Sequence, residues 1–159
     1  MIDLESIELI KQLKARYFRS IDTCDLKTLE QVFTPDAWIH YRSPTYDIRH
    51  EGWQTELEEF FRLGFTETKF GMHHGHLPEI TVNGDTATGL WYLQDIFYNL
   101  EVQRICEGTA LYEDEYVRLE GEWRIRSSYY ERLLEVIRPL PKDIHFTSKP
   151  IGKGPGHRK

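Results

Sequence analysis

The sequence predicts an α+β fold in which a curved, mixed or antiparallel sheet wraps around about three N-terminal helices. Such an arrangement forms a cone with one open end. Two observations predict it. Apolar residues recur at three- and four-residue steps near the N-terminus, which is typical of amphipathic helices. Long alternating runs follow, and two of them are joined by Asn83-Gly84, a dipeptide that favours tight hairpin turns.

Three helices are predicted before the long strands. The first begins after Asp3, a suitable N-cap, and its apolar stripe extends to Ile21. Asp25 is placed to cap a second helix that reaches Phe33 and ends before a proline, which cannot continue the hydrogen-bond ladder. A third helix is predicted over residues 51–63.

Five strands follow from the alternation, at residues 38–41, 71–82, 86–98, 105–119 and 123–136. No internal repeat or second boundary is found, so residues 1–138 are assigned to one domain. Residues 139–159 are rich in proline, glycine and basic side chains, which is typical of an irregular tail. Such a tail is expected to be disordered, to be a loose terminus, or to pack along a neighbouring subunit.

The composition of the 159-residue chain excludes several classes of protein. A net charge of −6 argues against nucleic acid as the main partner, because phosphate binding needs clustered basic residues. No apolar run is long enough to span a bilayer, and no leader segment is found, so a cytoplasmic protein is expected. Cys24 and Cys106 show no metal or redox spacing.

A candidate site lies on the predicted hairpin, where His73 and Asp95 fall on adjacent strands. Alternation places Asp95 on one face with apolar neighbours that would form a substrate pocket, and these are Trp91, Leu93 and Phe97. A buried carboxylate needs a hydrogen-bond partner, and His73 is the natural candidate. The alternative is that Asp95 faces solvent and His73 is a structural histidine.

A metal site is a weaker hypothesis for the same hairpin. His74 and His76 project to one side and could bind zinc, but no Cys-x-x-Cys or His-Glu-x-x-His pattern supplies further ligands. We therefore expect neither a metal ion nor another cofactor.

Three stretches, residues 13–22, 72–81 and 86–95, resemble the SnoaL-like branch of the nuclear transport factor 2-like superfamily. Within that branch they are most similar to the 7α-dehydratases of bile acids and, more distantly, to scytalone dehydratases. The resemblance implies a cystatin-like cone and a catalytic set on four positions of this chain, which are Tyr17, Asp22, His73 and Asp95. It also implies that Tyr41 and Arg132 contact the substrate, and that the protein forms a homo-oligomer, a trimer or a dimer.

The resemblance implies a cofactor-independent dehydratase acting on a small hydrophobic, ring-containing substrate of the steroid or polyketide type. His73 would remove a proton beside a carbonyl, with Asp95 accepting a bond from its other ring nitrogen. Tyr17 would donate to the developing oxyanion or protonate the leaving hydroxyl, and Asp22 would orient Tyr17 or His73 or bind the substrate. Isomerase chemistry of the ketosteroid type shares the first step. A further alternative is a non-catalytic or ligand-binding subunit related to the small subunits of aromatic-ring dioxygenases.

Overall fold

The computed structural model describes residues 2–158 and shows helices packed against one curved sheet of six strands. The helices are α1 (Leu4–Thr23), α2 (Leu26–Val32) and α3 (Glu58–Gly64), and α3 directly follows a π-helical segment at Trp53–Leu57. The strands are β1 (Phe33–Ser43), β2 (Tyr46–Glu51), β3 (Lys69–Asn83), β4 (Thr86–Asn99), β5 (Arg104–Leu119) and β6 (Glu122–Pro139). The predicted α+β cone is confirmed.

The sheet order is β2-β1-β6-β5-β4-β3, and every neighbouring pair is antiparallel except β1 and β6. The four long strands from β3 to β6 form the predicted meander. Its first hairpin is present as expected, but the two turn residues are Gly84 and Asp85, because Asn83 ends β3 and pairs with Thr86. The long strands curve around α1, whose apolar stripe of Ile10, Leu13, Tyr17 and Ile21 is buried against them.

Both predicted N-caps are present. The Asp3 carboxylate accepts the backbone N–H of Ser6 at 3.0 Å, and the Asp25 carboxylate accepts that of Thr28 at 3.1 Å. Each bond satisfies a donor that the first helical turn cannot pair internally. The helix starts were therefore readable from local chemistry.

Two local predictions differ from the structure. Phe33 is the first residue of β1, not the last residue of α2, and its side chain is buried in the core. The edge strand β2 was missed, although its burial alternates along all six residues. It lies beside β1 through the turn at residues 44–45, so β1 extends beyond the short strand predicted there.

The chain after β6 packs on its own domain. Phe146 contacts Phe70 and Tyr98, with ring centroids 5.0 and 4.9 Å apart. The Gly152 N–H donates to the Thr23 carbonyl at 2.9 Å, at the end of α1. The described tail residues thus lie against the strands and helix α1 of the same chain, and they include one short 3₁₀ turn at Pro155–His157.

Among the described residues, no helix combines the length and apolar character that a bilayer crossing requires.

Candidate active site

A cavity of about 350 Å³ lies between the helices and the concave face of the sheet. Most of its wall is aromatic, and the aromatic residues are Tyr17, Tyr41, Tyr46, Phe60, Phe61, Phe65, Phe97, Tyr112 and Tyr130. The titratable side chains other than tyrosine that line it are His73, Asp95, Cys106, Arg132 and Glu135. An apolar cavity with few convergent polar groups is the usual form of a small-molecule site.

A larger depression of about 710 Å³ lies elsewhere, beside Trp53. Its ionisable side chains, Glu30, Glu120 and Arg124, are exposed or only partly buried. Charged groups in contact with water are less typical of a small-molecule site than polar groups gathered in an apolar cavity. We therefore assign the candidate active site to the smaller cavity.

His73 is held by Asp22 from the last turn of α1. Asp22 Oδ1 lies 2.6 Å from the ring Nδ1, and Oδ2 accepts the His73 backbone N–H at 3.1 Å. An ionised carboxylate only accepts hydrogen bonds, so Nδ1 carries the proton and the lone pair of Nε2 remains available. The imidazole also lies between two aromatic rings, Phe18 at 6.1 Å and Phe65 at 5.9 Å between centroids.

Gly75 makes this arrangement possible. It follows His73 on the same face of β3, and a Cβ built there would overlap the ring of Phe18. Only glycine lets Phe18 approach the strand closely enough to lie nearly parallel to the imidazole, at an interplanar angle of 11°. The sequence showed the glycine but not the ring that needs the space.

The expected bond between His73 and Asp95 is absent, and this corrects the sequence-based hypothesis. The two residues lie on adjacent strands as predicted, and the register makes them direct cross-strand neighbours of β3 and β4. However, the Asp95 carboxylate is bound by both terminal nitrogens of Arg132, with Nη2 2.7 Å from Oδ2. The side chains of Asp95 and Arg132 are 4% and 6% exposed, so the pair is shielded from water. The reason is competition: a guanidinium binds a carboxylate through two parallel bonds, while an imidazole nitrogen offers one.

Arg132 is positioned by a β-bulge. The pairing of β5 with β6 skips one residue, because Thr109 pairs with Leu134 and Ala110 with Arg132. The bulge lets Arg132 and Glu135, which are three residues apart, both face the cavity. In a regular strand an odd separation would place them on opposite faces.

Glu135, Cys106 and Tyr46 were not identified from the sequence. Glu135 accepts a hydrogen bond from Thr45 Oγ1 at 2.9 Å, and its other oxygen lies 3.7 Å from Arg132 Nε. Arg132 Nε donates to the Tyr46 hydroxyl at 3.0 Å. Burial raises the pKa of the Cys106 thiol to about 11, so this side chain stays neutral.

Three phenols, which we call the tyrosine cluster, meet at the inner end of the cavity. The Tyr17 hydroxyl lies 2.6 Å from that of Tyr41 and 3.4 Å from that of Tyr112. Burial raises the pKa of each phenol well above its ordinary value, so all three remain protonated near neutral pH. Two contacts use at most two of the three protons, which leaves at least one O–H bond that can donate to a ligand. Alternation along β5 was the one signal that could have indicated Tyr112.

The structure places Phe97, Tyr41 and Arg132 on the cavity, but not Trp91 or Leu93. These two residues belong to the hydrophobic core, and Trp91 Nε1 donates to the Tyr116 hydroxyl at 2.9 Å. They share a face with Asp95, as alternation required, but both come before it in β4, where the strand packs in the hydrophobic core. Their expected role in substrate binding is therefore corrected to core packing.

His74 and His76 are exposed on the other face of β3. Within residues 2–158, no group of three or more His, Cys, Asp or Glu side chains is arranged to hold a metal ion.

Comparison with known proteins gives one family and one fold. Residues 3–129 match the model of the SnoaL-like domain. A candidate aromatic ring hydroxylase from Novosphingobium aromaticivorans shares 22% identity, with 87% of this chain and 96% of that chain covered and a TM-score of 0.77. Hexachlorocyclohexane dehydrochlorinase from Novosphingobium barchaimii shares 19% identity, covering 91% and 96% at a TM-score of 0.72. A candidate scytalone dehydratase from Novosphingobium aromaticivorans shares 16% identity, covering 94% of each chain at a TM-score of 0.73.

At these identities the solved structures show a shared fold. The domain match extends over most of the chain and includes the three stretches in which the family resemblance was found. The protein is therefore a member of the SnoaL-like domain family, within the nuclear transport factor 2-like superfamily.

Proposed function

We propose that this protein is a cofactor-independent lyase that dehydrates a neutral, hydrophobic, ring-containing β-hydroxy carbonyl compound. The observation that supports this most directly is the partly buried pair of Asp22 and His73, whose side chains are 16% and 10% exposed. Asp22 holds both the ring Nδ1 and the backbone N–H of His73, which presents Nε2 as a base in an apolar cavity. The similar fold of a candidate dehydratase and a dehydrochlorinase supports elimination chemistry as compatible with this architecture.

In the proposed reaction, His73 Nε2 removes a proton from the carbon beside the substrate carbonyl. The electron pair of the broken C–H bond moves to the carbonyl oxygen and forms an enolate. When the enolate collapses, the bond to the β-hydroxyl breaks. The departing hydroxide takes the proton from the His73 imidazolium and leaves as water, so the protein returns to its starting state.

Tyr17 and its two neighbours in the tyrosine cluster would bind the carbonyl oxygen. Because their hydroxyls remain protonated, they offer donors at the oxygen where negative charge develops. Asp22 would hold the imidazole and stabilise the imidazolium. This differs from the sequence-based scheme, in which Asp95 had that role.

The charges around the cavity support a neutral substrate. The one guanidinium that lines it, on Arg132, is already neutralised by Asp95, and Glu135 adds a second carboxylate nearby. An anionic group would meet more negative than positive charge there. We propose that the roles of Asp95 and Arg132 are to keep the cavity polar at one wall and to orient Tyr46.

The test uses purified protein and a panel of β-hydroxy ketones with one to several rings. Elimination produces a conjugated enone, which is followed by its ultraviolet absorbance. We expect His73→Ala to lower the rate by ~10²-fold or more, as loss of a general base does. Tyr17→Phe should lower it by ~10²-fold, as loss of one oxyanion donor does. The matched control is His74→Ala, the next residue of β3, which is exposed on the opposite face and should keep full activity.

Two further kinds of ketone separate the alternatives. Exchange of the α-protons of simple ketones for solvent deuterium needs only the base, so a lyase and an isomerase both catalyse it. Exchange without any elimination from the β-hydroxy ketones, together with movement of the double bond in a β,γ-unsaturated ketone, would favour the isomerase. No exchange by the wild-type protein, and co-purification with a larger iron-containing partner, would replace the proposal with the non-catalytic subunit.

A further inference from the structure

A buried ion pair lies behind the tyrosine cluster and outside the cavity. Lys14 is on α1, one turn before Tyr17, and its Nζ lies 2.6 Å from Asp114 Oδ2. Both side chains are completely shielded from solvent. The Asp114 carboxylate also accepts hydrogen bonds from Tyr116 and Ser128, each at 2.7 Å. Neither Lys14 nor Asp114 lines the cavity, and the proposed reaction does not use them.

The ammonium group lies against the rings of the cluster. Lys14 Nζ is 3.7 Å from the ring centroid of Tyr112, 4.6 Å from that of Tyr17 and 5.1 Å from that of Phe18. An ammonium has three donors, and only one carboxylate is near it, so the rings surround the rest of the charge. A positive charge is thus fixed beside the two phenols whose hydroxyls meet at the inner end of the cavity.

Stability alone is a poor explanation for this pair. Two charges lose their hydration on burial, and apolar residues of similar volume at such positions are often as stabilising or more so. Burial lowers the pKa of Lys14, and Asp114 opposes that shift. The chain therefore carries a desolvated cation at one place in the core, next to the candidate oxyanion donors.

We propose that Lys14 is a positioning residue that polarises Tyr17 and Tyr112 from behind, so that their hydroxyls donate more strongly to an oxyanion in the cavity. This inference rests on the proposed function, because it assumes that the tyrosine cluster binds the carbonyl oxygen. Lys14 acts through the phenols and does not touch the ligand. Asp114 holds the ammonium in place, and its carboxylate accepts hydrogen bonds from the Tyr116 and Ser128 hydroxyls.

The test uses 4-nitrophenol as a probe, because its phenolate carries charge on oxygen as an enolate does and absorbs visible light. The ionisation constant of the bound probe is measured from its absorbance over a range of pH in wild-type protein and three variants. Lys14→Met leaves the Asp114 charge in place and should weaken ionisation of the bound probe on the order of tenfold at an effective dielectric constant of about 20. Lys14→Met with Asp114→Asn removes both charges, keeps one side-chain oxygen that accepts a hydroxyl hydrogen bond, and should weaken ionisation of the bound probe by about threefold.

The variants separate polarisation from a merely structural role. A structural role would lower the melting temperature but leave the bound probe equally ionised in every folded sample, and that result would overturn the inference. So would failure of both Lys14 variants to fold, because the pair would then serve stability.

The third variant, Tyr17→Phe, tests the subsite itself. If it ionises the probe as well as the wild type does, or if the wild type does not bind the probe, the carbonyl subsite and the proposed function fail. A loss in Tyr17→Phe without any change in the Lys14 variants would reject only the role of Lys14.

Discussion

The pair formed by Asp95 and Arg132 allows a quantitative test of the site, because it replaced the expected bond between Asp95 and His73. Removing Asp95 with Asp95→Asn leaves Arg132 with Glu135, whose carboxylate lies 3.7 Å from its Nε. Removing the cation with Arg132→Met leaves two nearly buried carboxylates, which are 4% and 8% exposed, without a positive partner. The two changes should therefore differ in their effect on the free energy of unfolding.

We expect Asp95→Asn to lower the free energy of unfolding by about 2–3 kcal/mol, the range for hydrogen bonds to charged groups. Arg132→Met should lower it by about 4–5 kcal/mol, because breaking a buried pair leaves an unpaired charge in the interior. The double variant should cost about 1–3 kcal/mol less than the sum of the single changes, as contacting residues do. Urea unfolding at constant m-value measures all four proteins.

The control cycle uses Glu59 and Arg62, an ion pair of α3 whose side chains are 62% and 52% exposed. Its coupling should be about 0.5 kcal/mol or less. Equal losses for Asp95→Asn and Arg132→Met, or a coupling no larger than that of the control, would refute the reasoning. Such a result would also favour the original hypothesis that Asp95 binds His73.

Three other predictions concern packing, reactivity and assembly. Gly75→Ala should displace Phe18 from the His73 ring and lower stability by about 1–3 kcal/mol along with the elimination rate. Gly64→Ala, where a Cβ meets open space, is the control for stability, and an equal loss of stability would contradict the role of Gly75. The pKa of the Cys106 thiol is raised to about 11, and the thiolate is the form that reacts. Iodoacetamide should therefore label Cys106 slowly near neutral pH and faster as the pH rises. Rapid labelling at neutral pH, measured by mass spectrometry, would contradict this. Light scattering should give the mass of a homo-oligomer, a trimer or a dimer, and a monomer would remove that expectation.

Local chemistry was enough to predict most of the secondary structure. Helix caps, a hairpin signal such as Asn83-Gly84 and period-two alternation depend on residues close together in the chain, so they are visible in the sequence. The same patterns placed His73 and Asp95 on adjacent strands, whereas their direct pairing is a matter of register that the structure supplied. Strict alternation along β3 would place Leu77 on the face of His73, but the pairing with β4 shifts between His76 and Glu79, and Leu77, with φ of 51°, is 77% exposed.

The partners of the site residues were not readable in this way. His73 binds Asp22, which is 51 positions away, because α1 docks across β3. Asp95 binds Arg132, 37 positions away, because a bulge in β6 turns the guanidinium inward. Neither docking angle nor bulge position follows from alternation, since both depend on side chains from several elements packing together.

By itself the sequence determined the starts of the first two helices, the four long strands and their order along the chain, and that His73 and Asp95 lie on adjacent strands. Only the tertiary structure decided which carboxylate holds the imidazole, that Trp91 and Leu93 belong to the core, and that a lysine lies behind the tyrosine cluster. The physical reason is that periodicity specifies a face of a strand or helix, whereas hydrogen-bond partners are chosen by distance and geometry after the faces have packed.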